Sequence, residues 1–274
     1  MSTVTPADAQ LTRARYQTDG YVIFRNVLDA ELVDEARRHI DWLQRRHPDR
    51  RPENLGTDLV ADDPFWLRLV GDDRLLDLAG GFVGPDIALF ASHYIAKPPQ
   101  SGRAVLWHQD GAFWPLEPMA VVSLWLALDD TDPSNGCLRV VPGTHLWDLK
   151  PNRRRTDVAN VLNAEIDVDP ALIEEDKAVD IVLRAGDVEI HHPNVIHGSH
   201  ANTSPRWRRG LTIRYIPTTT RIVSAEPWPS AFLLRGEAVP QINNYRSRPP
   251  YEEGRHMPFR GSDAWAARRS AARL

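Results

Sequence analysis

The 274-residue chain has a single cysteine, Cys137, so no disulfide can form within it. That thiol count leads us to expect a reducing, cytoplasmic compartment. Long apolar runs are missing too. The longest, Ala120 to Leu128, is interrupted by Ser123 and falls far short of the roughly 20 residues a membrane span needs. Residues 1–20 lack the apolar stretch of a secretory signal. Lysine is scarce, with three residues (Lys97, Lys150, Lys177) against thirty arginines, a skew typical of a GC-rich genome. Positive charge is not in excess: the formal charge is −4 and the pI near 6.2, which argues against nucleic acid as a partner. Apolar residues at 42% and charged residues at 26% suffice for a core without disulfide or metal staples. The expectation is a soluble protein acting on a small molecule, monomeric or a weak homodimer, with no membrane or nucleic-acid partner.

The chain carries helical spacing first and strand texture later. Leu32, Val33, Ala36, Ile40 and Leu43 recur at three-to-four spacing behind Asp29, a candidate N-cap. Tyr21-Val22-Ile23-Phe24 is a short β-rich run, and a second helix is predicted from Pro64 to Phe82. From Ile87 the texture changes to short strands separated by turns: 87–95, 106–110, 121–128, 138–141, 181–183, 188–191 and 211–216. Asn135-Gly136 reads as a hairpin turn. This pattern predicts one domain, a mainly β sandwich or barrel clad by helices, divided into a helical part (1–86), a β core (87–216) and an irregular, proline-rich cover (217–274). Residues 150–180 read as an insertion. Arg45-Arg46-His47 and Arg153-Arg154-Arg155 read as solvated surface, and Ala264 to Leu274 as a short basic helix or an unstructured end.

Ten histidines invite a search for a metal site. His-x-Asp occurs three times, at His39/Asp41, His47/Asp49 and His108/Asp110, so the tripeptide alone is weak evidence. In a helix the first pair would point about 200° apart and could not clasp one ion. The second lies among arginines that repel a cation. The third ends a predicted strand, where residues two apart share a face about 7 Å apart, and Gly111 then frees the chain to turn. A further ligand would come from a distant strand, with His191, His192, His197 and His200 as candidates. Two imidazoles and a carboxylate form the facial set of non-haem Fe(II) oxygenases; a cupin-like zinc or manganese site is the alternative. An anionic co-substrate would need a cation. Near the last strand, Arg208, Gly210, Thr212 and Arg214 share one face and Arg209, Leu211, Ile213 and Tyr215 the other, while Arg206 precedes them.

Five motifs in order carry a resemblance: Tyr16-Gln17-Thr18-Asp19-Gly20-Tyr21; Ala96-Lys97-Pro98-Pro99 before His108-Gln109-Asp110; Trp125-Leu126-Ala127-Leu128-Asp129-Asp130; Asn135-Gly136-Cys137-Leu138 with Pro142-Gly143-Thr144-His145; and His197-Gly198-Ser199-His200 through Arg208 to Tyr215. In these the chain resembles the phytanoyl-CoA dioxygenase family of Fe(II)/2-oxoglutarate oxygenases, which includes ectoine hydroxylase. The resemblance implies a double-stranded β-helix, a jelly roll of cupin type. It implies His108, Asp110 and His197 as iron ligands, Arg208 as the partner of the distal 2-oxoglutarate carboxylate, and Ser199 and Trp125 as further co-substrate contacts. The implied reaction consumes O2 and 2-oxoglutarate, releases succinate and CO2, and hydroxylates an unactivated C–H bond. Related halogenases lack the carboxylate that Asp110 supplies here, so hydroxylation is expected over halogenation. Trp107, Phe113, Trp114 and His93 are candidate substrate contacts, and 217–260 a candidate lid. A secondary metabolite is one substrate class such enzymes take. Two other readings stand beside this one: the same chemistry on a CoA- or carrier-protein-tethered substrate, with Arg153–Arg155 as a basic entrance, and a non-catalytic cupin-like binding module.

Overall fold

The computed structural model describes residues 6–225 and 227–265. Its helices and strands run in the order α1 (Pro6–Asp19), β1 (Tyr21–Phe24), α2 (Ala30–Arg46), α3 (Thr57–Val60), α4 (Pro64–Val70), α5 (Asp73–Val83), β2 (Ile87–Tyr94), β3 (Val105–His108), β4 (Leu116–Glu117), β5 (Val122–Ala127), β6 (Leu138–Val141), β7 (Asn152–Arg154), β8 (Ala164–Ile166), β9 (Val179–Ile181), β10 (Val188–His191), β11 (Ile196–Ser199), β12 (Gly210–Pro217), β13 (Arg221–Ile222) and β14 (Phe232–Arg235). No helix among the described residues is long and apolar enough to cross a membrane.

Two antiparallel sheets dominate, one of order β1-β10-β5-β12-β2-β14 and one of order β3-β11-β6-β9. The chain changes sheet repeatedly: β2, β5, β10 and β12 lie in the larger, and β3, β6, β9 and β11 in the smaller. This alternation is the double-stranded β-helix expected from the sequence, although the sheets stay two separate ladders and do not close into a barrel. Trp125 and Ala127 of the larger sheet pack on Leu138, Val140 and Ile181 of the smaller.

Strand periodicity divides the larger sheet into two unlike faces. Leu124 and Leu126 of β5, Val188 and Ile190 of β10, and Leu211, Ile213 and Tyr215 of β12 join the main apolar core with α2, α4 and α5. Each fully buried aliphatic side chain there contributes about 2 kcal/mol. The alternate residues, Ser123, Glu189, His191, Thr212 and Arg214, are buried on the other face. Burying so many polar groups opposes folding unless they are paired, so this inner face is where a functional site is to be sought.

The helical layer follows its caps. Asp29 accepts the Leu32 N–H at 2.8 Å and starts α2, whose Leu32, Val33, Ala36, Ile40 and Leu43 are buried as predicted. The helix predicted over Pro64 to Phe82 is instead two. Gly71 closes α4 through an N–H bond to Leu67 O, and Asp72 restarts the chain as the α5 N-cap. Asn135-Gly136 is a turn but no hairpin, since it joins β5 to β6 across the two sheets. Residues 150–180 are an insertion carrying the β7–β8 hairpin. The proline-rich cover is less irregular than predicted: β14 pairs with β2 at the sheet edge, and β13 pairs with β4. Of the basic tail, residues 266–274 lie outside the described residues.

Candidate metal centre

Backbone register brings the two histidines together. β3 and β11 are antiparallel neighbours with His108 directly opposite His197, and their rings lie 4.1 Å apart between centroids. Gly198 permits this approach, because a Cβ there would stand 2.8 Å from Val105 O. Asp110 follows β3 at the start of a single 3-10 turn over Asp110–Phe113. One ligand atom from each of His108, Asp110 and His197 lies within 4.8 Å of the others, and all three residues are buried.

The proton positions suit a cation. His108 Nδ1 donates to Leu106 O at 2.9 Å and His197 Nδ1 to Val195 O at 3.0 Å. Each ring therefore keeps an Nε2 lone pair directed at the common point. Burial holds the pKa of His197 well below its ordinary value, reinforced by His108 and His191. Burial alone would raise the pKa of Asp110, but the Arg214 guanidinium and the surrounding imidazoles hold it well below the usual carboxylate range. Two imidazoles and one carboxylate, with room for further ligands, fit a divalent ion such as Fe(II).

The other histidines fall elsewhere. His39 is fully buried among the helices, where its Nδ1 meets the Tyr94 hydroxyl at 3.0 Å and its Nε2 meets Asp63 at 2.9 Å. His47 caps α2. His192 lies beside Tyr16 and His145, and His200 contacts Arg139 at 2.7 Å. His191, like His93, turns inward. Its Nδ1 binds Glu189 at 2.8 Å and its Nε2 faces Asp110 at 3.7 Å. Burial would lower its pKa, but the two carboxylates raise it to about 9.

The arginines sort by strand face as their alternation predicted. Arg209 turns out to grip Asp129 at 2.8 and 2.9 Å, and Arg206 pairs with Asp132 at 2.6 Å. Arg208 and Arg214 are buried inside. Arg208 donates to Gly136 O at 3.0 Å, Ile95 O at 3.1 Å and Ser199 Oγ at 3.4 Å, with its guanidinium 5.1 Å from the Trp125 ring centroid. Gly210 makes room for that indole: a Cβ there would lie 2.3 Å from Trp125 Cζ2. Lys97 is fully buried beside it, donating to Ser199 Oγ at 2.7 Å and to the His200 carbonyl. Burial lowers Lys97 well below the ordinary ammonium value, with Arg208 adding to the shift, and burial pulls Arg208 down to about 10. Among the described residues, no carboxylate forms an ion pair with either cation.

One cavity of about 340 Å³ joins these groups. His108, Asp110, His197, Arg208, Ser199 and Trp125 line one part of it, and His93, Phe113 and Trp114 another. Trp107, predicted as a substrate contact, is not in its wall. It packs near Val141, Ile166, Ile173 and Ile196, beneath the Arg139 guanidinium at 5.2 Å, because it points away from the face His108 uses. Several lining or neighbouring residues were missed. Lys97 stood in a motif already noted, and strand parity with Arg208 pointed to Arg214. Phe90 and Trp228 gave no local signal. Trp228 stacks on Phe90 at 4.9 Å and donates its indole N–H to Phe90 O, so the C-terminal cover does reach the cavity.

Comparison with known proteins gives the chain's family. The sequence profile of the phytanoyl-CoA dioxygenase (PhyH) family matches residues 16–210. Peroxisomal phytanoyl-CoA dioxygenase of Rattus norvegicus is 33% identical over 241 residues, covering 78% of this chain and 70% of that protein. Among solved structures, the apo form of the non-haem monooxygenase ThoJ superposes with a TM-score of 0.74 at 27% identity, covering 87% of this chain and 88% of that one. Apo EctD from S. alaskensis shares the fold, with a TM-score of 0.66 at 22% identity over 88% of this chain and 90% of that one. The chain therefore belongs to the phytanoyl-CoA dioxygenase family and is a 2-oxoglutarate-dependent non-haem iron dioxygenase with a jelly-roll fold.

Proposed function

We propose that this dioxygenase hydroxylates a C–H bond of a small molecule, a secondary metabolite being a fitting class, with His108, Asp110 and His197 as the protein ligands of Fe(II). The chemistry supplied by bound Fe(II) with 2-oxoglutarate and O2 is decarboxylation to succinate and CO2 coupled to insertion of one oxygen atom into the substrate. The observation that carries this reading is the pair of buried cations, Lys97 and Arg208, that share Ser199 and have no carboxylate partner among the described residues. Leaving the buried Arg208 charge uncompensated costs several kcal/mol, and a carboxylate arriving in the cavity would remove that cost and favour the charged form of Lys97 beside it. Arg208, Lys97 and Ser199 then hold the distal end of 2-oxoglutarate, and Trp125 walls it from solvent.

The rest of the cavity takes the substrate. Phe113, Trp114, Phe90 and Trp228 offer an aromatic surface, with His93 as its polar group. Burial and the Arg214 charge push the pKa of His93 to about 3, so the ring is neutral. Its Nδ1 accepts from Arg214 at 2.9 Å, which leaves an Nε2–H to donate to a substrate oxygen. The carrier-tethered alternative is less well supported. Arg153 and Arg155, its candidate basic entrance, are already paired with Glu165, Asp157 and Asp167. We read the chain as one oxygenase domain, a view supported by β1 and β14, which extend the sheet that holds the site from the chain's two ends.

The test is succinate release. Protein with Fe(II), 2-oxoglutarate and O2 is expected to form succinate at a slow basal rate that rises with a fitting substrate from a panel of aromatic and alicyclic small molecules. The rise should vanish without iron and in Arg208→Ala. No succinate under any of these conditions would overturn the reading.

A further inference from the structure

The two oxygens of Asp110 have unlike surroundings. Oδ1 faces the paired histidines, 3.5 Å from His108 Nε2 and 4.0 Å from His197 Nε2. Oδ2 accepts from Ser123 Oγ at 3.2 Å and Arg214 Nη2 at 3.2 Å, and faces His191 Nε2 at 3.7 Å. The two donors and the imidazole beside them are not scattered. Ser123 is the register partner of His191 on one side and of Arg214 on the other, so they form a single row across β10, β5 and β12.

The row is anchored at both ends. Arg214 is buried, donates through Nη1 to His93 Nδ1 and to the Thr212 hydroxyl, and lies with its guanidinium 5.4 Å from the Trp114 centroid. His191 is held by Glu189. Asp110 sits on a 3-10 turn outside both sheets, so its orientation depends on this row and not on ladder hydrogen bonds of its own.

We propose that the row His191–Ser123–Arg214, with Arg214 as its principal member, occupies Oδ2 of Asp110 and limits that carboxylate to a single ligating oxygen. The inference rests on the iron reading above. His108, His197 and one oxygen of Asp110 would hold Fe(II), and the site would have to leave room for O2 beside 2-oxoglutarate. A second ligating oxygen from Asp110 would compete for that room. Arg214 is thus a positioning residue: it touches the ligand and acts through it.

Nitric oxide, a stand-in for O2 that gives an electron paramagnetic signal on Fe(II), reads directly whether that room is left. Anaerobic Fe(II)-loaded wild type, Arg214→Met, Arg214→Lys and Ser123→Ala are titrated with nitric oxide, each with and without 2-oxoglutarate. Without 2-oxoglutarate the affinities should be alike. With it, Arg214→Met should bind nitric oxide about tenfold more weakly or worse than wild type, the scale of effect typical of groups that orient metal ligands. Arg214→Lys should recover part of the loss, and Ser123→Ala should show a smaller loss in the same direction. Equal affinities in wild type and Arg214→Met with 2-oxoglutarate bound overturn the proposal. If Arg214→Met does not fold, an unchanged Ser123→Ala overturns it instead. A wild type that forms no coloured complex with Fe(II) and 2-oxoglutarate overturns the functional reading, and this inference with it.

Discussion

His108 and His197 stand directly opposite each other on neighbouring antiparallel strands, their ring centroids 4.1 Å apart. Each is locked by its Nδ1 to a carbonyl two residues earlier in its own chain. The site is therefore set by backbone register, and either imidazole is needed in place. We expect His108→Ala and His197→Ala each to abolish stoichiometric Fe(II) binding, measured by anaerobic titration, with melting temperatures close to wild type. Retained tight binding in either variant would remove that residue from the site.

Arg208 and Arg209 are adjacent but face opposite ways, one into the cavity and one onto Asp129. A hydrogen bond to a charged group contributes about 1.5–3 kcal/mol, so Arg208→Ala should weaken 2-oxoglutarate binding roughly 10- to 100-fold by the same arithmetic. Arg209→Ala should leave it unchanged. Calorimetric titration of Mn(II)-loaded protein checks both, and equal losses would contradict the facing assigned to the strand.

His39 tests the difference between a structural and a functional histidine. It bridges Tyr94 and the buried carboxylate of Asp63. Its removal strips Asp63 Oδ2 of its partner while Oδ1 keeps the Trp66 N–H, a change that costs about 1–3 kcal/mol. His39→Ala should melt at a markedly lower temperature, while the folded protein binds Fe(II) as wild type does. Lost iron affinity at a temperature where the variant is fully folded would be the contrary result.

Stability should fall in mild acid partly because of His192. Burial and the neighbouring His145 and His191 lower its pKa to about 4, and its Nδ1 accepts the Asn194 N–H at 3.1 Å, which requires a neutral ring. The unfolded chain takes up this proton first, near pH 6.5. The stabilisation is thus complete above that pH and is lost as the pH falls towards 4. Melting temperatures recorded from pH 7.5 to 4.5 should fall more steeply for wild type than for His192→Gln. Parallel curves would contradict the assignment.

Much of this was legible in the sequence, for physical reasons that differ by element. β12 shows it best: strict alternation put Arg208, Gly210, Thr212 and Arg214 on one face, and the structure buries Arg208 and Arg214 together. The α2 cap was legible because Asp29 has a local partner in Leu32. The break between α4 and α5 was missed because apolar spacing continues across Gly71, and the Asp72 cap that restarts the helix looks like any other polar residue. Asn135-Gly136 misled because turn chemistry gives the bend without saying which sheet the next strand joins. Trp107 misled because nearness in sequence to His108 does not mean nearness in space on a strand. Trp228 and Phe90 meet only through tertiary packing 138 residues apart, which no local pattern encodes.

The central claim, that the cavity is built for an iron ion and 2-oxoglutarate together, is tested most directly without oxygen. Fe(II) is added to metal-free protein under anaerobic conditions, followed by 2-oxoglutarate, and the visible spectrum is recorded. The account predicts a weak charge-transfer band that appears only when both are present, is absent in His108→Ala, and fades on admission of O2 as succinate forms. Iron binding with no band on saturating 2-oxoglutarate would contradict it.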